Sequence, residues 1–246
     1  MREKIDISEK GGPRNGQEQV LDRRLFMQLL AFGESHDVSE LARAIESAGF
    51  EAVLYKDLND PRGVALLTWS DQPDFFVTLL RPFLDGQPFV ALAPKPELTM
   101  IGRTYGLGHE PDLEDWLLEK PRRTVLNPES PWAIWYPLRR KGAFSALPAE
   151  EQGPILGEHG RIGHAFGEAG YAQDVRLACF GLDQHDNDFV IGLIGAELYP
   201  LSACVQQMRK TRQTSQYIEK MGPFFVGKAF WQSAVGPDQP RAESSL

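Results

Sequence analysis

Two stretches of this chain place redox-competent side chains close together. The first, Tyr136-Pro137-Leu138-Arg139-Arg140-Lys141, sets a phenol beside a basic cluster. The second, Glu158-His159-Gly160-Arg161-Ile162-Gly163, sets an imidazole on the apolar face of a helix. An imidazole can ligate iron, a phenol at a strand end can carry an oxidising equivalent, and guanidinium or ammonium groups can hold carboxylates. Together these are the parts of a site for an anionic porphyrin.

The elements that must position them repeat. A strand at Leu25–Phe32 is followed by a helix, Val38–Ala48, capped by Asp37 and stopped by Gly49. Strands at Ala52–Tyr55 and Gly63–Trp69 flank an Asn59-Asp60-Pro61 turn, and a helix near Gln72–Leu84 closes the unit. The second unit opens with a strand at Trp132–Tyr136 and a helix over roughly 150–167. Strands Arg176–Phe180 and Asp188–Ile194 and a long helix, Leu198–Tyr217, complete it. Each unit reads β-α-β-β-α, the ferredoxin-like order without a clear final strand, repeated after about 105 residues. The expectation is an α+β fold of two ferredoxin-like units with their sheets joined. Residues 1–22 read as a flexible arm, 23–118 and 119–236 as the two units, and 237–246 as a loose tail.

Composition removes several classes. The 246 residues carry a formal net charge of −8, against non-specific nucleic-acid binding, which needs a basic surface. Cys179 and Cys204 fit no zinc or iron–sulfur spacing and read as buried free thiols suited to a reducing cytoplasm. The first 22 residues have no apolar leader core, and no apolar run of about 18 residues predicts a membrane span.

Of the five histidines, His36, His109 and His185 lie in loop-like contexts. His159 and His164 share a helix at i, i+5, about 140° apart, so they cannot clamp one metal as an i, i+4 pair does. The apolar stripe Ile155, His159, Ile162, Phe166 includes His159 and leaves His164 out. The plain reading of such a histidine is a satisfied core residue. Glycines at 157, 160, 163 and 167 point beyond that, because they weaken the helix while letting a broad, flat ligand approach. Tyr136 reads equally as a strand-end aromatic packed beside Trp135, and Arg139–Lys141 as a solvated loop.

The chain resembles the chlorite dismutase family of haem proteins, which includes the coproheme decarboxylases. The resemblance lies in Tyr136-Pro137-Leu138-Arg139-Arg140, Glu158-His159-Gly160-Arg161-Ile162-Gly163, Gly181-Leu182-Asp183 through Asp188-Phe189-Val190, Met208-Arg209 with Ser215, and Gly222 to Gly227. It implies a dimeric α/β barrel, usually assembled as a homopentamer, with haem b or iron coproporphyrin III in the C-terminal unit. It further implies His159 as the proximal iron ligand, Tyr136 as a radical carrier, and Arg122, Arg209 and Ser215 around the propionates. Arg103 and Tyr105 are implied as neighbours of the same groups. Arg140 stands where the decarboxylases carry a lysine, and Phe144 where relatives carry a tryptophan. The distal position falls among Ala172, Gln173 and Asp174, with Arg176 further along; Gln173 matches the decarboxylase glutamine with a one-residue slip. The strip Lys210-Thr211-Arg212-Gln213-Thr214 lacks the acid that chlorite-splitting members place behind the histidine. The resemblance therefore implies peroxide-dependent decarboxylation of iron coproporphyrin to protohaem. Chlorite dismutation, or haem handling with little catalysis, are the alternatives.

Overall fold

The computed structural model describes residues 5–234. Its N-terminal unit comprises β1 (Glu9–Arg14), β2 (Gln17–Leu21), β3 (Phe26–Gly33), α1 (Val38–Ala48), β4 (Ala52–Asp57), β5 (Val64–Ser70), α2 (Arg81–Leu84), β6 (Ala93–Pro94) and β7 (Met100–Arg103). A linking helix, α3 (Lys120–Leu126), leads to the C-terminal unit. That unit comprises β8 (Trp132–Arg140), α4 (Gly142–Ser145), α5 (Ala149–Glu168), β9 (Gln173–Ala178), β10 (Phe189–Gly195), α6 (Leu198–Met208), β11 (Ile218–Met221) and β12 (Phe225–Gln232).

The strand order explains how the two units become one body. The first four-stranded sheet runs β7-β3-β5-β4 and the second β12-β8-β10-β9, the same ferredoxin-like order twice. β4 pairs with β12, and β7 meets β9 at Arg103 and Ala178. The pairings therefore run in a closed circuit and leave these strands without a free edge.

Alternation along each strand then sorts side chains into layers. Ala133 and Trp135 point into the barrel with Met27, Leu29, Tyr55, Val175 and Phe225. Ile134, Tyr136 and Leu138 point the other way, toward Leu201, Cys204 and Met208 of α6 and the partly buried Ile162 and Phe166 of α5. Leu117, Leu118, Val125 and Leu126 from around α3 join the interior core. No helix among the described residues is long and apolar enough to cross a membrane.

Several expectations are corrected. The supposed flexible arm folds over residues 9–21 as the β1–β2 hairpin. Asn15 and Gly16 both adopt positive φ, 54° and 78°, which is the two-residue turn an Asn-Gly pair favours. The Gly12 amide donates to the Glu110 carbonyl, tying the hairpin to the body. The tail from 237 lies outside the described residues. The missing final strands are β7 and β12. The first strand of the C-terminal unit does not end at Tyr136 but continues to Arg140. Pro137 is tolerated there because, on one edge, β8 changes partner from β12 to β11, and the missing amide falls in that gap. The expected helix Leu198–Tyr217 stops at Met208. The Thr211 hydroxyl donates to the Met208 carbonyl, and the Arg212 amide turns to Glu158 instead.

Trp135 lies flat over Gly192, its Cα partner on β10; a Cβ there would sit 2.6 Å from the indole. Gly192→Ala is expected to destabilise the fold by ~1–3 kcal/mol through overpacking. Gly157→Ala, where a methyl meets open space, should stabilise by up to ~1 kcal/mol. Urea denaturation of the two variants checks both signs.

Candidate functional site

Helix α5 carries its apolar stripe against the outer face of the C-terminal sheet, with Ile155 fully buried. His159 falls on that stripe and is half-buried, whereas His164 is exposed and pairs with Glu168 at 3.2 Å. The glycines divide their roles. Gly163 allows close approach of α6, since a Cβ there would lie 3.3 Å from the Met208 methyl. Gly157 and Gly160 face open space, so only part of the expected glycine surface looks inward.

His159 Nδ1 lies 3.3 Å from the Thr211 Oγ1, and Thr211 is itself buried. Burial, then the charges of Arg176 and Arg140, push the imidazole down to about 4, so it is neutral at physiological pH. Asp174 and Glu158 oppose that shift.

Tyr136 is buried and stacks on Phe224 with ring centroids 4.7 Å apart and an interplanar angle of 23°. Burial raises its phenol, which stays protonated. It pairs across β8–β10 with Ile191, which pairs across β10–β9 with Arg176, so Tyr136, Ile191 and Arg176 form one row on the helix-facing side. Arg176 is ion-paired to Asp174 at 2.5 Å and lies over Trp116.

Arg140 ends β8. Its guanidinium sits between the rings of Phe144 and Phe189, 4.5 and 5.0 Å from their centroids. Its Nε is buried with no hydrogen-bond partner. Tyr105 reaches the same place, its ring 5.8 Å from Phe189. A cleft of about 260 Å³ opens here, lined by Arg139, Arg140, Ser145, Phe180 and Phe189 among others. Arg139 is engaged elsewhere, with Asp186 at 2.6 Å, and the Lys141 ammonium donates to the Gln216 carbonyl.

The other expected site residues separate into two groups. Ser215 lies one turn beyond Thr211 and donates its hydroxyl to the Thr211 carbonyl; Arg209 lies over Phe224, 5.9 Å from its centroid. Ser215 is thus tied to the His159 partner Thr211, and Arg209 to the Tyr136 partner Phe224. Arg122 instead forks onto Glu51, at 2.8 and 3.0 Å, and bonds Glu119. Arg103 bonds Glu9 of the hairpin at 2.9 Å. Gln173 is exposed and donates to the Gly167 carbonyl; it alternates away from the helix-facing row that holds Asp174 and Arg176. Sequence reasoning missed Thr211 as the histidine's partner and the Phe144–Phe189 clamp on Arg140.

The fold and this arrangement define a class. Residues 118–230 match the model of the chlorite dismutase family. A haem-binding protein from Thermus thermophilus has a similar structure, with 21% identity, a TM-score of 0.64, and coverage of 85% of this chain and 92% of that one. Chlorite dismutase from Candidatus Nitrospira defluvii in complex with imidazole superposes with a TM-score of 0.64 at 16% identity, covering 85% and 92%. At these identities the likeness is one of fold. No curated protein matches the chain by sequence.

The depressed His159 value sets a pH dependence. Its neutral form is favoured by folding, so the stability it contributes is complete above pH 6.5 and is lost as pH falls from 6.5 toward about 4. Urea midpoints of the wild type should decline across that window more steeply than those of His159→Gln, and the imidazole proton resonances should titrate near 4.

Proposed function

We propose that this chain binds an iron porphyrin through His159 and, as an oxidoreductase, decarboxylates iron coproporphyrin III with peroxide as oxidant. The observation that carries the reading is the neutral, half-buried imidazole of His159 with Nδ1 engaged by Thr211, which leaves Nε2 for a metal. Among the described residues no group of three or more His, Cys, Asp or Glu side chains could hold a bare ion. A macrocycle would supply the other ligands of a metal held by this imidazole. The surroundings fit such a group: a buried, unpartnered Arg140 Nε suits a carboxylate arm, and the Phe144 and Phe189 walls suit a flat apolar edge.

When bound, the iron porphyrin supplies the oxidising power of peroxide. The chain supplies orientation and a proton-bearing phenol. Tyr136, held protonated and stacked on Phe224, gives up its proton and electron together and regains a hydrogen atom from the propionate chain. Each propionate converted to vinyl releases carbon dioxide, one proton and two electrons; one hydrogen peroxide with two protons takes up those electrons as two waters. Arg140, with Arg209 on the other flank, holds the carboxylates; the Ser215 hydroxyl proton is already given to the Thr211 carbonyl. Arg122 and Arg103, paired to carboxylates of the chain itself, are left out of this role.

One observation favours a second reaction. Arg176 shares the helix-facing row with Tyr136 and its charge acts on His159, so a guanidinium does face this side of the sheet. That is the feature chlorite splitting calls for. Release of oxygen from chlorite, abolished by Arg176→Gln, would support it.

The test is titration with iron coproporphyrin and with haem, followed by peroxide and mass analysis of the tetrapyrrole. Saturable Soret shifts are expected, with products that have lost carbon dioxide and two hydrogens from one and then from a second propionate. Binding with no mass change would reduce the protein to a haem handler, and absence of any spectral change would sink the reading. His159→Ala should weaken binding by more than the roughly 10–100-fold typical of losing an outer-sphere partner, while His164→Ala binds normally. Tyr136→Phe should bind and fail to decarboxylate.

A further inference from the structure

We propose that Thr211 is the positioning residue for the axial imidazole: its hydroxyl fixes His159 in the Nδ1–H tautomer and directs the Nε2 lone pair to the metal. This rests on His159 being the ligand and extends that reading to the residue behind it.

Proton counting at the Thr211 hydroxyl decides the tautomer. A threonine hydroxyl has one proton to give. The Thr211 oxygen lies 2.8 Å from the Met208 carbonyl and 3.3 Å from the Thr214 Oγ1. The shorter contact, to a carbonyl three residues back, takes the proton. The Thr214 amide donates to the same oxygen at 3.4 Å. What the oxygen offers His159 Nδ1, at 3.3 Å, is a lone pair, so Nδ1 must carry the hydrogen. Nε2 is then the unprotonated nitrogen.

The surrounding chain holds this acceptor in place. The Thr211 amide donates to the Met208 carbonyl, and the Thr211 carbonyl accepts both the amide and the hydroxyl of Ser215. The next residue, Arg212, donates its amide to Glu158, the neighbour of His159 on α5. The acceptor and the imidazole are therefore locked together on both elements. A hydroxyl also differs in kind from a carboxylate. It accepts the hydrogen bond without drawing the imidazole toward imidazolate, so the ligand stays a modest electron donor and ferrous iron is favoured.

Two measurements test this on wild type, Thr211→Ser and Thr211→Val. In the apo full-length protein, ¹⁵N-edited imidazole NMR should show His159 as Nδ1–H in wild type and Thr211→Ser. In Thr211→Val it should move toward the Nε2–H form that free histidine prefers. In protein loaded with ferrous protoporphyrin, Thr211→Val should lower the iron–histidine stretching frequency and weaken binding by about 10–100-fold, with Thr211→Ser near wild type. If Thr211→Val loses its native circular dichroism, Thr211→Ala gives the same comparison. An Nε2–H tautomer in wild type, or Thr211→Val indistinguishable from wild type in both measurements, would overturn the proposal. Porphyrin binding that fails in every form, with the tautomer shift intact, would uphold the hydrogen bond and sink the ligand reading instead.

Discussion

Closure of the strand circuit is the constraint from which the rest follows. Two ferredoxin-like sheets each expose two edges, and the β4–β12 and β7–β9 pairings remove all four. Once the ring closes, every strand residue faces either a common interior or a helix layer. Large side chains such as Trp135, Met27 and Tyr55 fill the interior, and the helical segment at 115–126 contributes to it. Chemistry is left to the outer faces. The two outer faces differ: the N-terminal one is sealed by Leu41, Ile45, Phe89 and their neighbours, whereas the C-terminal one carries a histidine, a tyrosine and arginines among its apolar residues.

On that face, charge and hydrogen bonding act in one direction. His159 loses solvation and gains cationic neighbours, both of which favour the neutral imidazole a metal requires. Tyr136 is desolvated in the same layer and keeps its proton. Arg140 retains its charge because two aromatic faces take the place of water, and its unsatisfied Nε is the kind of buried polar atom that calls for a ligand. These are features of preorganisation: the groups are already in the states the proposed chemistry uses.

Much of this was legible in the sequence, and the limits have physical causes. The strands, α1 with its Asp37 cap, and the apolar stripe that selects His159 over His164 follow from local periodicity. The hairpin was hidden because a polar, glycine-rich stretch resembles a flexible arm; only the Asn15-Gly16 turn signals otherwise. The stop at Met208 was hidden because one of the competing hydrogen bonds, from the Arg212 amide to Glu158, joins residues 54 apart in the chain. Arginines were the least legible. The resemblance places Arg122 and Arg103 near a ligand, yet each satisfies itself on a carboxylate far away in sequence, Glu51 and Glu9. Such pairings depend on topology, which no local pattern encodes.

The two seams of the ring are unequal. β12 matches β4 over five residue pairs, from Gly227 opposite Asp57 to Gln232 opposite Val53, whereas β7 touches β9 at a single pair. The lighter seam adjoins a small void of about 20 Å³ beside Trp116, Lys120 and Arg176. The molecule is thus welded along one side and latched on the other, and the latch adjoins the strand that carries Arg176. Fewer backbone pairs hold the β7–β9 side, so local opening of the ring costs less there than along β4–β12.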